Sequence, residues 1–373
     1  MLKSGKSSCA TTHVMTPGSA ETLPTSSTLR SRHGDRRTFY SVQYLRAAAA
    51  LLVVTYHAVH KQGQLAGTTQ SWDVGQCGVD LFFIISGFIM CNTAESRRLT
   101  ATSFLKARFI RIMPLYWALS LAALAIFLVR PDLVNSSGGE TTILNSFTLY
   151  PVGKKLLVQN GWTLSYEFWF YLIFAVTIHL GNMLRPLAVS SIIVALVAIG
   201  QFASFQSPAA IFATSPMLLE FVMGVLAYTY MTLRPRSSFP YPLLALVGVV
   251  WLCLFGERGL SGIRPIDFGV PMLLVFVGVV RCESTLYKFR TTMPGRLAKA
   301  LGDSSYSLYL CHPFSLVATA VLIKRIGLSN YPVASVATLV ALAALTGFVC
   351  YRLVETRLTQ FSKPSREPVP IVG

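Results

Sequence analysis

The chain has 373 residues, 53% of them hydrophobic and only 13% charged, with a formal net charge of +17. Soluble globular proteins carry about 25% charged residues, so this composition, with a mean hydropathy of +0.55, excludes a soluble domain and points to a polytopic membrane protein. The seven cysteines show neither a CxxC pair nor zinc-type spacing, so no metal or redox centre is expected.

Residues 1–43 are rich in Ser and Thr, turn basic towards their end, and lack the apolar segment of a signal peptide. They cannot bury enough apolar area to offset chain entropy, so they are predicted to be a disordered basic tail on the cytoplasmic side. Ten apolar runs follow, at 44–61, 76–94, 114–129, 162–180, 186–205, 211–232, 240–256, 266–281, 305–323 and 331–353. A bilayer-spanning helix needs about 20 such residues, and the seventh and eighth runs are short for that. The expected fold is all-α, a polytopic bundle of about ten transmembrane helices over 44–357. A short tail, 358–373, follows it, and both termini are cytoplasmic.

The basic residues support that orientation. With the N-terminus inside, 23 Lys and Arg fall on the cytoplasmic side and eight outside, Arg46 being the last of the 32. Such an excess follows the positive-inside rule. The net charge is thereby explained by topology, and no nucleic-acid partner is needed.

Within the runs, ionisable residues stand out, because each costs about 2.5–3.5 kcal/mol at the centre of a membrane helix. The first helix carries Arg46 near the cytoplasm and His57 towards the outside. Eleven residues apart, they share one face at a separation of roughly 16 Å. The second and fourth helices enter from outside, bringing Asp80 (in GVDLFFIISGF) and Glu167 (in GWTLSYEFWFY) to a depth expected to match that of His57. A carboxylate on one imidazole nitrogen orients the ring for general-base catalysis. The alternative is that Asp80 and Glu167 are structural partners of arginines.

On the cytoplasmic side, FLKARFIRIMPLYW (104–117) places Arg108 and Arg111 three residues apart on one face. With Arg46 they form a set suited to clamping phosphates through planar guanidinium forks. Lys106 reads more simply as a topology signal. Glu220 reads as a buried helix contact, and His312, beside Pro313, is divided between structure and lining a site. A charged head near the cytoplasm and a histidine about 16 Å away suit a long ligand with a reactive tip.

At these residues the chain resembles the membrane-bound acyltransferase-3 group, within it the bacterial exopolysaccharide and lipopolysaccharide O-acyltransferases. The similar segments are YLRAAAALLVVTYH (44–57), GVDLFFIISGFIM (78–90), FLKARFIRIMPLYW (104–117), GWTLSYEFWFYLIFA (161–175), FVMGVLAY (221–228) and LGDSSYSLYLCHPF (301–314), ending in VETRL (354–358). They run from the first helix to the last, in the family's order. The resemblance implies a ten-helix core that takes an acyl group, most often acetyl, from cytoplasmic acyl-CoA and places it on a sugar hydroxyl at the outer side. It implies that His57 is the essential histidine, that Arg46, Arg108 and Arg111 are the donor-binding arginines, and that Asp80 and Glu167 are the carboxylates of the VD and YE motifs. The last motif departs from the family, with Thr356 and Arg357 where Arg-Pro often follows the glutamate, which leaves a special role for Glu355 open. Some members carry a further hydrolase-like domain, and none is expected in this chain.

The expected partners are therefore acyl-CoA, as donor substrate rather than a resident cofactor, a polysaccharide or lipid-linked sugar acceptor, and membrane lipids. The expected place is the bacterial inner membrane. Direct transfer and an acyl-histidine intermediate both remain open. A proton-coupled transporter built on the same His, Asp and Glu residues is the rival function, although no inverted repeat or paired broken helices accompany them.

Overall fold

The computed structural model describes residues 39–68, 72–95, 99–134, 140–234 and 239–361. Most of the two expected tails lies outside the described residues. Sixteen helices follow in chain order among them: α1 (Tyr40–Ala66), α2 (Cys77–Glu95), α3 (Ala101–Val129), α4 (Pro131–Val134), α5 (Ile143–Thr148), α6 (Gly161–Val176), α7 (Leu184–Phe202) and α8 (Pro208–Ala213). Then come α9 (Leu219–Leu233), α10 (Tyr241–Phe255), α11 (Val270–Val280), α12 (Glu283–Phe289), α13 (Met293–Asp303), α14 (Ser305–Arg325), α15 (Pro332–Cys350) and α16 (Thr356–Phe361). No strand occurs among the described residues beyond one isolated bridge, Thr141 to Lys155.

Each of the ten predicted runs coincides with a helix. Among the described residues, seven helices are long and apolar enough to cross a membrane, and an eighth span results if Pro265–Val280 and Glu283–Phe289, bent by 68°, count together. Two runs fall short of that standard, α10 at 15 residues and the 16-residue α6 that carries Glu167. The protein is a multi-pass membrane protein. Its lipid-facing rows agree, with Phe202 91%, Val333 85% and Leu128 72% exposed, an apolar surface that water would not tolerate.

Two boundaries differ from the sequence reading. Tyr40–Gln43, placed in the tail by composition, form the first turn of α1. The reason is distant in sequence: the Glu283 carboxylate accepts from the backbone N–H groups of Tyr40 and Ser41, at 2.9 Å each, satisfying two of the four donors that a helix start leaves free. The third helix begins at Ala101 rather than 114. Thr100 and Ser103 form a reciprocal capping box there, so the basic stretch 104–111 is helical and continuous with the span through Pro114.

Close helix packing fixes the middle of the bundle. At the α2–α9 crossing, a Cβ on Gly87 would meet the Phe221 carbonyl oxygen at 2.2 Å, and one on Gly224 the Ile84 carbonyl oxygen at 2.0 Å. Facing glycines let two backbones touch, which is how membrane helices associate without a hydrophobic driving force between them. Phe221 is stacked between Phe83 and Phe170, with ring centroids 4.5 Å from each, tying α6 to the same pair. Helix α14 packs along α1, and this pair carries the site.

Candidate active site

Besides apolar packing, α1 meets α14 through polar side chains at two levels. Near the basic end of the bundle, the Arg46 Nε donates to the Ser305 Oγ at 3.1 Å. Eleven residues on, the imidazole of His57 lies beside that of His312, centroids 5.1 Å apart and planes inclined by 33°. Ser305 and His312 are seven residues apart, two turns on one face, so α1 and α14 run in the same direction with matched polar positions. His312 is fully buried and His57 half-buried. Among the described residues, no His/Cys/Asp/Glu group of metal-binding size forms here or elsewhere.

His312 is positioned by a defect in its own helix. Pro313 has no N–H, so the carbonyl of Tyr309, four residues earlier, lacks its helical partner. The Asn160 side chain replaces it, its Nδ2 donating to Tyr309 O at 2.7 Å. The same Nδ2 stands 3.5 Å from both ring nitrogens of His312, and Thr163 donates to the Tyr309 hydroxyl at 3.0 Å. The start of α6 thus clamps the proline-broken turn of α14.

His57 opens on a cavity of about 470 Å³ at the end of the bundle opposite Arg46. Tyr56, Gln76, Lys154, Gln159, Trp162 and Arg264 are among its walls. One rim is the 140–160 connection, pinned by Thr142 N to Lys155 O at 3.1 Å, Lys155 N to Glu140 O at 3.0 Å and a Lys154–Glu140 ion pair at 2.5 Å. Outside the membrane spans, that hydrogen bond and the charge of Lys154 hold the Glu140 carboxyl below its ordinary range.

The two carboxylates expected at the level of His57 separate. Asp80 is fully buried and forms a two-point ion pair with Arg264, Nε to Oδ1 at 3.1 Å and Nη2 to Oδ2 at 2.8 Å, while Arg264 also donates to the Gln76 carbonyl at 3.2 Å. This is the arginine-partner alternative, with an arginine from the connection between α10 and α11. Glu167 instead accepts from Ser86 at 3.3 Å and from Tyr171. Ser86 lies six residues beyond Asp80 on α2, about 9 Å further along the helix, so Glu167 is deeper than the sequence reading placed it. Neither carboxylate hydrogen-bonds His57 among the described residues. Depth was inferred from the apparent start of each span, and helices that begin at different levels defeat that inference.

Glu167 belongs with the arginines. Arg46 interacts electrostatically with Arg111, Glu355, Glu167 and Asp303, and Arg108 and Glu167 both act on Tyr171. Tyr306, its hydroxyl on the Ile112 carbonyl at 2.7 Å, feels Glu167, Glu355 and Arg111. Arg46, Arg108 and Arg111 thus lie near one polar cluster at the basic end, with Arg108 half-buried and Arg111 exposed. Glu355, whose role the altered motif left open, is buried in it, accepting from Ser307 at 2.6 Å. A π-helical segment, Tyr351–Glu355, ends α15 on that carboxylate, a distortion common at functional sites.

Comparison with known proteins bears on this arrangement. The sequence profile of the acyltransferase-3 family, described as an acyltransferase domain, matches residues 39–353. The chain belongs to this family. Among its relatives, the exopolysaccharide production protein ExoZ of Rhizobium meliloti is 30% identical over 333 residues, covering 85% of this chain and 98% of ExoZ. The O-acetyltransferase OatA of Staphylococcus aureus is 23% identical over 85% of this chain and 57% of its own length. The acyltransferase MdmB of Streptomyces mycarofaciens is 27% identical over 73% of this chain and 77% of MdmB. No solved structure matches the chain. This acyltransferase-3 protein is a multi-pass membrane acyltransferase, with the histidine pair and the arginine cluster among the polar features of its interior.

Proposed function

We propose that the protein takes an acyl group, acetyl in the first instance, from cytoplasmic acyl-CoA and places it on a hydroxyl of an exported polysaccharide or glycolipid. The observation that carries this reading is the placement of Arg46 and His57 on one face of α1, roughly 16 Å apart. The first meets Ser305 among arginines and carboxylates, and the second opens on a cavity at the far end. With the basic end in the cytoplasm of a bacterial inner membrane, Arg46, Arg108 and Arg111 bind the phosphates of the donor. Its thioester arm then reaches towards His57.

In the chemistry proposed, His57 accepts the proton of the acceptor hydroxyl as its oxygen attacks the thioester carbonyl. The C–O bond forms, the C–S bond breaks, and the proton passes from the imidazole to the departing thiolate of CoA. His312 packs against His57 and restricts its ring. Asp80 and Glu167 act at a distance in this scheme, Asp80 by fixing Arg264 at the cavity wall and Glu167 by balancing charge in the arginine cluster. The donor remains on one side of the membrane while the product appears on the other.

The test is transfer of label from acetyl-CoA, supplied to the cytoplasmic face of membrane vesicles, into polysaccharide. Wild type transfers label, and His57→Ala at equal expression does not. Equal transfer by the variant removes His57 from the chemistry. Unmodified sugar moving across the membrane in exchange for protons would instead mark a transporter.

A further inference from the structure

A second cavity, of about 480 Å³, opens at the basic end of the bundle, where α2, α9 and α11 end and α1 and α10 begin. It is separate from the arginine cluster. Its walls on α2 are Phe88, Asn92 and Glu95. These stand two, six and nine residues beyond Ser86, on the side of the helix away from the Ser86 contact with Glu167. The rings of Phe39, Phe88 and Tyr228 form a continuous edge-to-face wall, with centroids 6.0 Å apart at each step. Beside it stands the exposed Glu95 carboxylate, which accepts from the Tyr228 hydroxyl at 2.5 Å. That donor is neutral, and none of the ion pairs among the described residues involves Glu95. Arg281 also lines the cavity, its guanidinium 5.1 Å from the ring centroids of both Tyr230 and Tyr241. The neighbouring residues are apolar and exposed: Leu233 ends α9, and Phe239 and Leu243 flank the wall residue Tyr241.

A carboxylate without a cation, set beside aromatic rings, receives an organic ammonium group through charge and cation–π attraction together. An arginine on the same cavity suits a ligand that carries a negative group close to that ammonium. We propose that the cavity holds the head group of a phospholipid ending in a primary ammonium, drawn from the leaflet at the basic end of the bundle. The ammonium meets Glu95 against the rings of Phe39, Phe88 and Tyr228. The phosphate lies in the field of Arg281, which keeps the contacts it already has. Leu233, Phe239 and Leu243 decide for a lipid over a soluble zwitterion, because they border the cavity with a surface that acyl chains cover. The site needs neither acyl donor nor acceptor, and so stands apart from the acyltransferase reading.

The measurement is native mass spectrometry of the purified, delipidated full-length protein in detergent. The protein is titrated with an equimolar mixture of phosphatidylethanolamine and phosphatidylglycerol, both with palmitoyl and oleoyl chains. The first lipid bound is the ethanolamine form, retained several-fold over the glycerol form. Glu95→Gln keeps an oxygen for the Tyr228 hydroxyl, and its size-exclusion profile matches wild type. It lowers the preference by about five-fold, the scale of one exposed charge contact. Phe39→Leu, which removes one ring of the wall, lowers it by about two-fold, the scale of an exposed cation–π contact, and carries the test should Glu95→Gln not fold. Equal retention of the two lipids, preference for the glycerol form, or a preference that both variants retain in full overturns the proposal. Displacement of the bound lipid by an equal concentration of phosphoethanolamine also overturns it, since the soluble head group alone would then be the ligand.

Discussion

Asp80 offers the sharpest test of the site's architecture, because a carboxylate that orients His57 and one that anchors Arg264 behave differently when changed. Removing one partner of a buried ion pair costs about 3–5 kcal/mol. The two partners are unequally buried, 0% exposed for the Asp80 side chain and 26% for Arg264. After Asp80→Asn, the guanidinium can turn partly to water and keeps the Gln76 carbonyl, so the loss falls near about 3 kcal/mol. After Arg264→Gln a fully buried carboxylate is stranded, and the loss approaches about 5 kcal/mol. The double variant Asp80→Asn/Arg264→Gln pairs two amides in the same space. It recovers more than about 5 kcal/mol of the roughly 8 kcal/mol summed over the single changes, because neither charge is then left buried without its partner. The assay is thermal loss of monodisperse protein in detergent, with label transfer normalised to folded protein. The order of melting temperatures should be wild type, double variant, Asp80→Asn, Arg264→Gln. If Arg264→Gln melts like wild type, or the double variant is no better than Asp80→Asn, the ion pair is not what Asp80 is for and its role at His57 returns.

Three further outcomes follow from contacts elsewhere. Asn160→Leu leaves the Tyr309 carbonyl without a donor in the interior, at a cost of about 1–3 kcal/mol, and lowers transfer beyond that loss because His312 is released; unchanged turnover per folded molecule would refute the clamp. Gly224→Val brings side-chain atoms onto the Ile84 carbonyl, 2.0 Å from where its Cβ must sit, and should abolish folded protein, whereas Gly181→Ala, with nothing near it, should not. Because the Glu140 carboxyl is held below its ordinary range, the Lys154–Glu140 latch is intact above the usual carboxylate pKa. It is lost as pH falls through the lowered value, and limited proteolysis of the 140–160 connection should rise only there.

Much of the helical plan was readable, because apolar runs of membrane length have few other uses. Its errors lie where a helix depends on a partner remote in sequence. Nothing in residues 40–43 announces a helix start, since the cap is Glu283, more than 240 positions away. The basic stretch before the third span looked like a loop on charge alone, although the Thr100–Ser103 box is a local signal that marks its beginning.

The site divides along the same line. Spacing on a single helix placed Arg46 and His57 correctly relative to each other, since 11 residues return to one face whatever the rest of the protein does. Comparison between helices needed a common zero of depth, which no sequence supplies. Asp80 and Glu167 therefore seemed level, whereas Glu167 meets Ser86, about 9 Å further along α2 than Asp80. One relation between helices is nevertheless written in the residues. Ser305 and His312 place two polar residues on one face of a second helix, and Pro313 frees a carbonyl that some donor must meet. A polar residue two turns from another, beside a proline, marks a position held from outside its own helix. The sequence left His312 divided between structure and the site, and it is the ring contact with His57 that directs the next substitutions to the α1–α14 seam rather than to the acidic residues of α2 and α6.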